Sequence, residues 1–251
     1  TAAEWVERFE AVGLSFAELN DMSDALGDPQ TVARHMLVDV PTRTGATMKL
    51  LGNPIKVDGI PVGAFGDGEM WFHIDSGYSA RPYRYTFLYG VELPSRGGNT
   101  EFADMRAAYD TLDDKTKREV SDMICSHSQI FSRGVLGFTD FTDEERVKWA
   151  PVRQRLVRKH PRTGRLSLYL SSHAGGIEGW PVPEARAFLR DLTEHATQRK
   201  FVYAHQWKVG DLVMWDNRVT MHRARRYDHT QVRDMRRTTL TNEVSSLEQA
   251  P

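Results

Sequence analysis

Apolar residues fall into two rhythms along this chain. Over residues 3–12, Trp5, Phe9 and Val12 recur at helical spacing. A second helical stretch at 21–36 is broken by Gly27-Asp28-Pro29 into two short helices. Residues 46–62 read as short strands, with turns at Gly52-Asn53-Pro54 and Asp58-Gly59. The glycine-dense run 63–68 marks a boundary. Beyond it the rhythm is that of strands, at 69–74, 84–92 and 100–103, with a turn at Gly97-Gly98-Asn99. A hairpin over 154–159 and 166–170 turns around Pro161-Arg162-Thr163-Gly164, and further strands fall at 200–207, 212–215, 219–224 and 235–241. Helices are predicted over 104–124, where Asp113-Asp114 supplies a negative start, and over 183–198. The pattern predicts a mainly β, α+β chain, an antiparallel sandwich or barrel with helical insertions. A small α/β segment at 1–62 would precede a larger domain at 63–251.

Composition narrows the function classes. A chain of 251 residues is one large domain, or one domain with a small appendage. A net charge of −1 gives no bulk attraction to nucleic acid or to a membrane surface, and no apolar run approaches the length that spans a bilayer. Cys125, the single cysteine, excludes an intramolecular disulfide and a thiolate-rich metal site, and is expected as a small buried hydrophobe on a helix. The opening TAAEWVERFE is acidic and amphipathic, unlike a signal peptide, which predicts a cytoplasmic location.

His73-Ile74-Asp75 is the focus of the candidate chemistry. In a strand, residues i and i+2 share a face, so His73 and Asp75 would project together and could share one metal ion. His-x-Asp arises by chance roughly once in a chain of this composition, and alone it reads as a surface pair. What raises its meaning lies far along the chain. There Gly210–Asn217 reads as turn, buried strand and turn, and the next strand carries His222. One His and one Asp close together, with a distant second His, is the composition of a two-histidine, one-carboxylate facial triad for iron(II). The other histidines, 35, 127, 160, 173, 195, 205 and 229, read as structural or surface groups.

Residues 218–237 hold seven Arg and no Lys. Arginine offers a planar fork that suits carboxylates, where lysine is a point charge. Arg218, Arg223, Arg225 and Arg226 divide evenly between an anion site and a solvated basic surface. Arg233 and Arg237, four residues apart about a predicted strand, could face one side, one for a co-substrate and the other for a substrate.

These residues resemble the taurine dioxygenase family of iron(II)/2-oxoglutarate oxygenases over about 68–242. The resemblance rests on WFHIDSGY, GGNTEFADMRAAYD at 97–110, SSHAGGIEGWP at 171–181 and GDLVMWDNRVTMHRARRYD at 210–228, in that order. Within the family the chain looks closest to 2,4-dichlorophenoxyacetate and aryloxypropionate dioxygenases. The resemblance implies a double-stranded β-helix, or jelly roll, with the triad at one mouth. It assigns His73, Asp75 and His222 to iron(II), Thr100 and Arg233 to the 2-oxoglutarate carboxylates, and Arg237 and His173 to a small anionic substrate. With dioxygen as the other co-substrate, 2-oxoglutarate would go to succinate and CO2 while a substrate C–H is hydroxylated. An aryloxyalkanoate would then fall apart to a phenol and glyoxylate or a keto acid.

Residues 1–62 depart from that family and resemble instead the C-terminal part of family III CoA-transferases, without that family's catalytic aspartate, so no transferase activity is expected. A jelly roll short of its first strands exposes sheet edges and apolar faces. Either 46–62 replace those strands, or the core depends on self-association as a homo-oligomer. Three other readings compete with the carboxylate oxygenase. One is a taurine- or sulfonate-type oxygenase. Another is a non-catalytic fusion relic, and the third is a zinc hydrolase using the same triad, which has no need of the arginine pair. A nucleic-acid module is disfavoured by the net charge.

Overall fold

The computed structural model describes residues 69–251 except 229 in full, and 37–41 and 47–51 as backbone. The helices expected at 3–12 and 21–36, the turns after 51 and the boundary at 63–68 lie outside these residues. The chain forms two compact units, Thr1–Asp58 and Gly59–Pro251. In the first, β1 (Leu37–Pro41) pairs antiparallel with β2 (Thr47–Leu51), with Val40 opposite Met48.

The second unit is mainly β, and every described strand pair is antiparallel. Its long strand β3 (Tyr83–Glu92) and β4 (Thr100–Asp104) each form the centre of a three-stranded sheet. Around β3 stand β11 (Leu212–Asp216) and β13 (Asp234–Thr241); around β4 stand β10 (Val202–His205) and β12 (Thr220–Ala224). These agree closely with the predicted strands, which stand as apolar and aromatic runs between turn signals. Asp104 caps α1 (Met105–Asp110) by accepting from the Arg106 and Ala107 amides, and Asp113 caps α2 (Asp114–Val120).

The middle of the chain was harder to read. A third sheet joins β5 (Ile124–His127), β6 (Val152–Arg155) and β9 (Ala174–Ile177), and a hairpin joins β7 (Val157–Lys159) to β8 (Leu166–Leu168). The predicted strand 154–159 is therefore two. Its first half pairs with β5 and only its second half with β8, the chain breaking at fully buried Leu156. Cys125 is buried as expected, but it lies on β5 rather than on a helix, and burial pushes its thiol up to about 12. Two short helices, α3 (Gln129–Val135) and α4 (Asp143–Lys148), complete this region.

The amphipathic α5 (Val182–Ala196) turns Ala185, Leu189, Leu192 and Ala196 into the core. There they join Ala103 and Met105 from β4 and α1, Leu168 and Leu170, and Met221 from β12. Register decides which side of the β4 sheet does what. Ala103 and Met221 are cross-strand partners on the core face; the next pair, Phe102 and His222, points the other way, toward the β3 sheet. The far face of the β3 sheet exposes Tyr89, Leu212, Met214 and Leu240. No helix among the described residues is long and apolar enough to cross a membrane.

Gly97 holds the entry to β4 against the chain after β12. It bridges Tyr227 at a φ of 78°, and a Cβ there would stand 2.5 Å from the Arg226 carbonyl oxygen. Gly97→Ala is expected to cost on the order of 1–3 kcal/mol from backbone strain alone, read as a lower urea midpoint with an unchanged slope.

Candidate metal centre

Three side chains converge between the β3 and β4 sheets. His73, Asp75 and His222 each offer a ligand atom, all within 4.8 Å of one another. The route to that arrangement differs from the sequence argument. Residues 69–74 are not a strand; His73 is a single bridging residue followed by a turn. His73 and His222 exchange two backbone hydrogen bonds of 2.9 Å each. This makes them a directly opposed antiparallel pair, and their rings stand 4.3 Å apart. Asp75 is then swung into place by a turn through Ser76, the sole described non-glycine residue with a positive φ, at 58°.

Asp75 is buried, at 4% exposure, so its charge requires partners. Thr86 on β3 donates to Oδ2 at 2.6 Å, and Arg237 Nη1 on β13 lies 3.2 Å from Oδ1. Burial by itself would raise its pKa; His222, Arg237, His73 and the Thr86 hydroxyl outweigh it and hold the carboxyl below its ordinary range. Asn217 supports both sides: its Oδ1 accepts from the Asp75 amide and its Nδ2 donates to Thr86 Oγ1.

The histidines meet the requirements of metal ligands. His73 Nδ1 donates to the Trp71 carbonyl at 2.8 Å, and since that oxygen can only accept, Nε2 keeps its lone pair. His222 lies against Trp215 and Phe102, with ring centroids 4.6 and 6.2 Å away, and burial pushes its pKa down to about 3. Its Nε2 is 3.6 Å from Asp75 Oδ2, and His73 Nε2 is 4.0 Å from Oδ1. Neighbouring ligands about 2.1 Å from one ion stand about 3 Å apart, so the trio closes on an ion with movements below an ångström. An ionised carboxylate, neutral imidazoles and a largely buried setting fit a divalent first-row metal.

Thr100 and Arg233 lie at the start of β4. Arg233 Nη2 reaches the Gly98 carbonyl at 3.4 Å and its Nε is buried without a hydrogen bond, which leaves a donor for an anion. Burial holds its pKa below the usual arginine value. Thr100 is buried, and its hydroxyl accepts from Trp207 Nε1 at 2.9 Å. An indole can only donate, so the hydroxyl proton of Thr100 is free to point elsewhere. Arg233 and Arg237 do not share a strand face. Arg233 precedes β13 and a bulge falls between Asp234 and Met235, so the two guanidiniums serve different partners.

His173 occupies a turn before β9, buried, with its ring 6.4 Å from that of His73 and 4.8 Å from that of Tyr78. Burial, with His73 and His127 nearby, drives its pKa well below the ordinary histidine value. Tyr78, Thr86, Asn217, Trp207 and Ser132 were missed by the sequence reading. Tyr78, at the end of WFHIDSGY, and Asn217, within GDLVMWDNRVTMHRARRYD, carried a signal that could have singled them out. Three of the other arginines are committed to internal pairs: Arg218 binds Asp216 and Tyr85, and Arg223 and Arg225 pair with Glu101. An open groove of about 780 Å³ is lined by Trp71, Phe72, Arg186 and Arg223–Arg226 and contains none of the three ligand residues.

The profile of the family described as "Taurine catabolism dioxygenase TauD, TfdA family" matches residues 8–239. That match runs through most of 1–62, and the comparisons lend the CoA-transferase resemblance no support. An "Alpha-ketoglutarate-dependent 2,4-dichlorophenoxyacetate dioxygenase" from Burkholderia sp. (strain RASC) is 48% identical over 178 residues, 71% of this chain. The chain spans 59% of the length of that relative. A crystal structure of AAD-2 in complex with Mn(II) and N-oxalylglycine is 56% identical, with a TM-score of 0.72 over 74% of this chain and 73% of that one. A putative alpha-ketoglutarate dependent 2,4-D dioxygenase from Burkholderia xenovorans is 39% identical, with a TM-score of 0.72 over 97% of this chain and 89% of that one.

Thr86→Val keeps the shape of the side chain but removes the donor to Asp75 and the acceptor for Asn217. Metal affinity, titrated with Co(II) or Zn(II), is expected to fall about 10- to 100-fold.

Proposed function

The chain belongs to the taurine catabolism dioxygenase TauD, TfdA family, and we propose that it is an iron(II)- and 2-oxoglutarate-dependent dioxygenase that hydroxylates a small carboxylate such as an aryloxyalkanoate. The observation that carries this reading is the convergence of His73, Asp75 and His222, with Arg237 beside Asp75 and, at Gly98, Arg233 with an unsatisfied buried donor. The relative crystallised with Mn(II) and N-oxalylglycine supports it, because N-oxalylglycine has the dicarboxylate skeleton of 2-oxoglutarate.

In this reading His73, Asp75 and His222 hold the metal on one face and leave the opposite positions open. Bound iron(II) would supply the activation of dioxygen, drawing its electrons from the decarboxylation of 2-oxoglutarate to succinate and CO2. The remaining work falls to the chain. Arg233 binds a 2-oxoglutarate carboxylate with its unsatisfied Nε and its forked amines. Thr100 donates its free hydroxyl proton to the same co-substrate, its oxygen held by Trp207. Arg237, about one-third exposed beside Asp75, anchors the substrate carboxylate. Trp215 and Phe102 close the site behind His222 and keep water from it. Hydroxylation at the carbon bearing the ether oxygen gives a hemiacetal, which separates into a phenol and glyoxylate.

The catalytic domain in this reading is 63–251, with a double-stranded β-helix core formed by the β3 and β4 sheets, and 1–62 form a separate small α/β segment. The two compact units of the chain support the division, and the relatives' overall likeness supports the core architecture.

Iron(II) and 2-oxoglutarate added without oxygen are expected to give a weak visible charge-transfer band in the full chain. His73→Ala and His222→Ala should lose both the band and aryloxyacetate-dependent succinate formation; folded protein with neither signal overturns the reading. Arg237→Ala is expected to raise the KM for an aryloxyacetate about 10- to 100-fold, the worth of a charged hydrogen bond, while the KM for 2-oxoglutarate stays within about twofold.

A further inference from the structure

Asp75 sits in a turn whose own backbone bonds hold it at two points. The Gly77 amide donates to the Ile74 carbonyl at 3.2 Å and the Ser79 amide to the Ser76 carbonyl at 2.8 Å, with Ser76 at a φ of 58° between them. Two further carbonyls of the turn are taken by a single side chain. Gln154, on β6 and fully buried, donates from Nε2 to the Gly77 carbonyl at 3.0 Å and to the Ser79 carbonyl at 2.8 Å. Both acceptors are carbonyls, so the amide group cannot be turned the other way round. Its Oε1 must accept, and it does so from the hydroxyl of Ser246, also fully buried. Ser246 Oγ in turn accepts from the Arg155 amide at 3.2 Å, a group that can only donate. The polarity of every link is therefore fixed: Arg155 amide to Ser246 hydroxyl, hydroxyl to Gln154, and Gln154 to two carbonyls just past Asp75.

Ser246 opens a short 3-10 turn, Ser246–Glu248, whose segment lies along β6 and β7. Arg155 Nε donates to the Leu247 carbonyl at 3.1 Å, the Lys159 amide to the Gln249 carbonyl at 3.1 Å, and buried Arg158 Nε to Gln249 Oε1 at 3.0 Å. We infer that Gln154 is a positioning residue for Asp75, oriented by Ser246, so that docking of the 246–249 segment on β6 and β7 tightens the metal centre. This deepens the proposed function and rests on it in one respect, that Asp75 is a metal ligand. Gln154 touches no ligand atom and acts through the turn alone. Without it two carbonyls lose their donor, and the unfavourable conformation at Ser76 is free to relax. Asp75 is then aligned with His73 and His222 for a smaller fraction of the time, and apparent metal affinity falls by that fraction. Ser246 has its effect only through the amide of Gln154.

The test compares the full chain as wild type, Ser246→Ala, Gln154→Met and the double variant, with Thr142→Ala, which removes the cap of α4, as the control for lowered stability. Amide hydrogen exchange is read at Gly77 and Ser79 without added metal, and Co(II) affinity is titrated separately. In Ser246→Ala exchange at both positions should quicken, and Co(II) affinity fall, about two- to tenfold, the worth of one neutral hydrogen bond. Gln154→Met should change both about tenfold or more, for the loss of two. Adding Ser246→Ala to Gln154→Met should change neither by more than about twofold, since the two residues act in series. Thr142→Ala should leave both at wild-type values. Exchange at Gly77 and Ser79 unchanged by Ser246→Ala, or quickened as much by Thr142→Ala, overturns the inference. So does a Co(II) affinity within about twofold of wild type in Gln154→Met, or full additivity in the double variant. Wild-type protein that shows the expected exchange pattern but takes up no Co(II) overturns the metal-centre reading and leaves the clamp on the turn standing.

Discussion

The structure turns on one buried negative charge. An ionised carboxylate removed from water is tolerated only where hydrogen bonds and opposite charge replace its hydration. Asp75 obtains these from the Thr86 hydroxyl on β3 and the Arg237 guanidinium on β13, while Asn217, in the turn between β11 and β12, holds its backbone amide and His222 on β12 pairs through the backbone with His73. Those elements belong to the two sheets that face each other across the site. Satisfying Asp75 is therefore equivalent to bringing the sheets into register, and the metal site is a consequence of that closure. Ser76 accepts an unfavourable backbone conformation at the same place, which is consistent with a turn held by what surrounds it.

Charge economy explains why a chain with a net charge of −1 can carry so dense an arginine cluster. Glu101 neutralises Arg223 and Arg225, and Asp216 neutralises Arg218, so much of the cluster is spent on internal pairing. Arg233 and Arg237 stand apart. One is buried with an unsatisfied donor, and the other leans on a carboxylate that a bound cation would compete for. In the proposed function each would take a carboxylate, one of the co-substrate and one of the substrate.

A second layer of neutral hydrogen bonds directs the polar groups of the site. Trp207 occupies the Thr100 oxygen, Ser132 occupies His173 Nδ1, and the Trp71 carbonyl occupies His73 Nδ1. For Trp207, which can only donate, and the Trp71 carbonyl, which can only accept, the partner's fixed character decides which atom of the inner residue is left free. None of these partners needs a charge, so they orient the site without altering its electrostatic balance.

What the sequence determined by itself were the elements with a clean period and the ligands with distinctive chemistry. Strands β3, β4, β11, β12 and β13 stand between clear turn signals, and helix α5 carries its apolar stripe; His73, Asp75 and His222 stand out because few residue types bind iron. The middle of the chain was opaque, since β5, β6 and β9 are four-residue strands whose partners lie elsewhere, too short for a period to show. The triad was found by an argument that the fold does not use: His73 and Asp75 do not share a strand face, and the histidines meet instead as a cross-strand pair. The parting of Arg233 from Arg237 depended on a bulge, and the roles of Thr86, Ser132 and Trp207 on partners 11, 41 and 107 residues away. Residue type and local period are properties of the chain, and they were legible. Register, turn direction and the partner of each buried polar atom are set only when distant segments close on one another, and tertiary structure alone decided them.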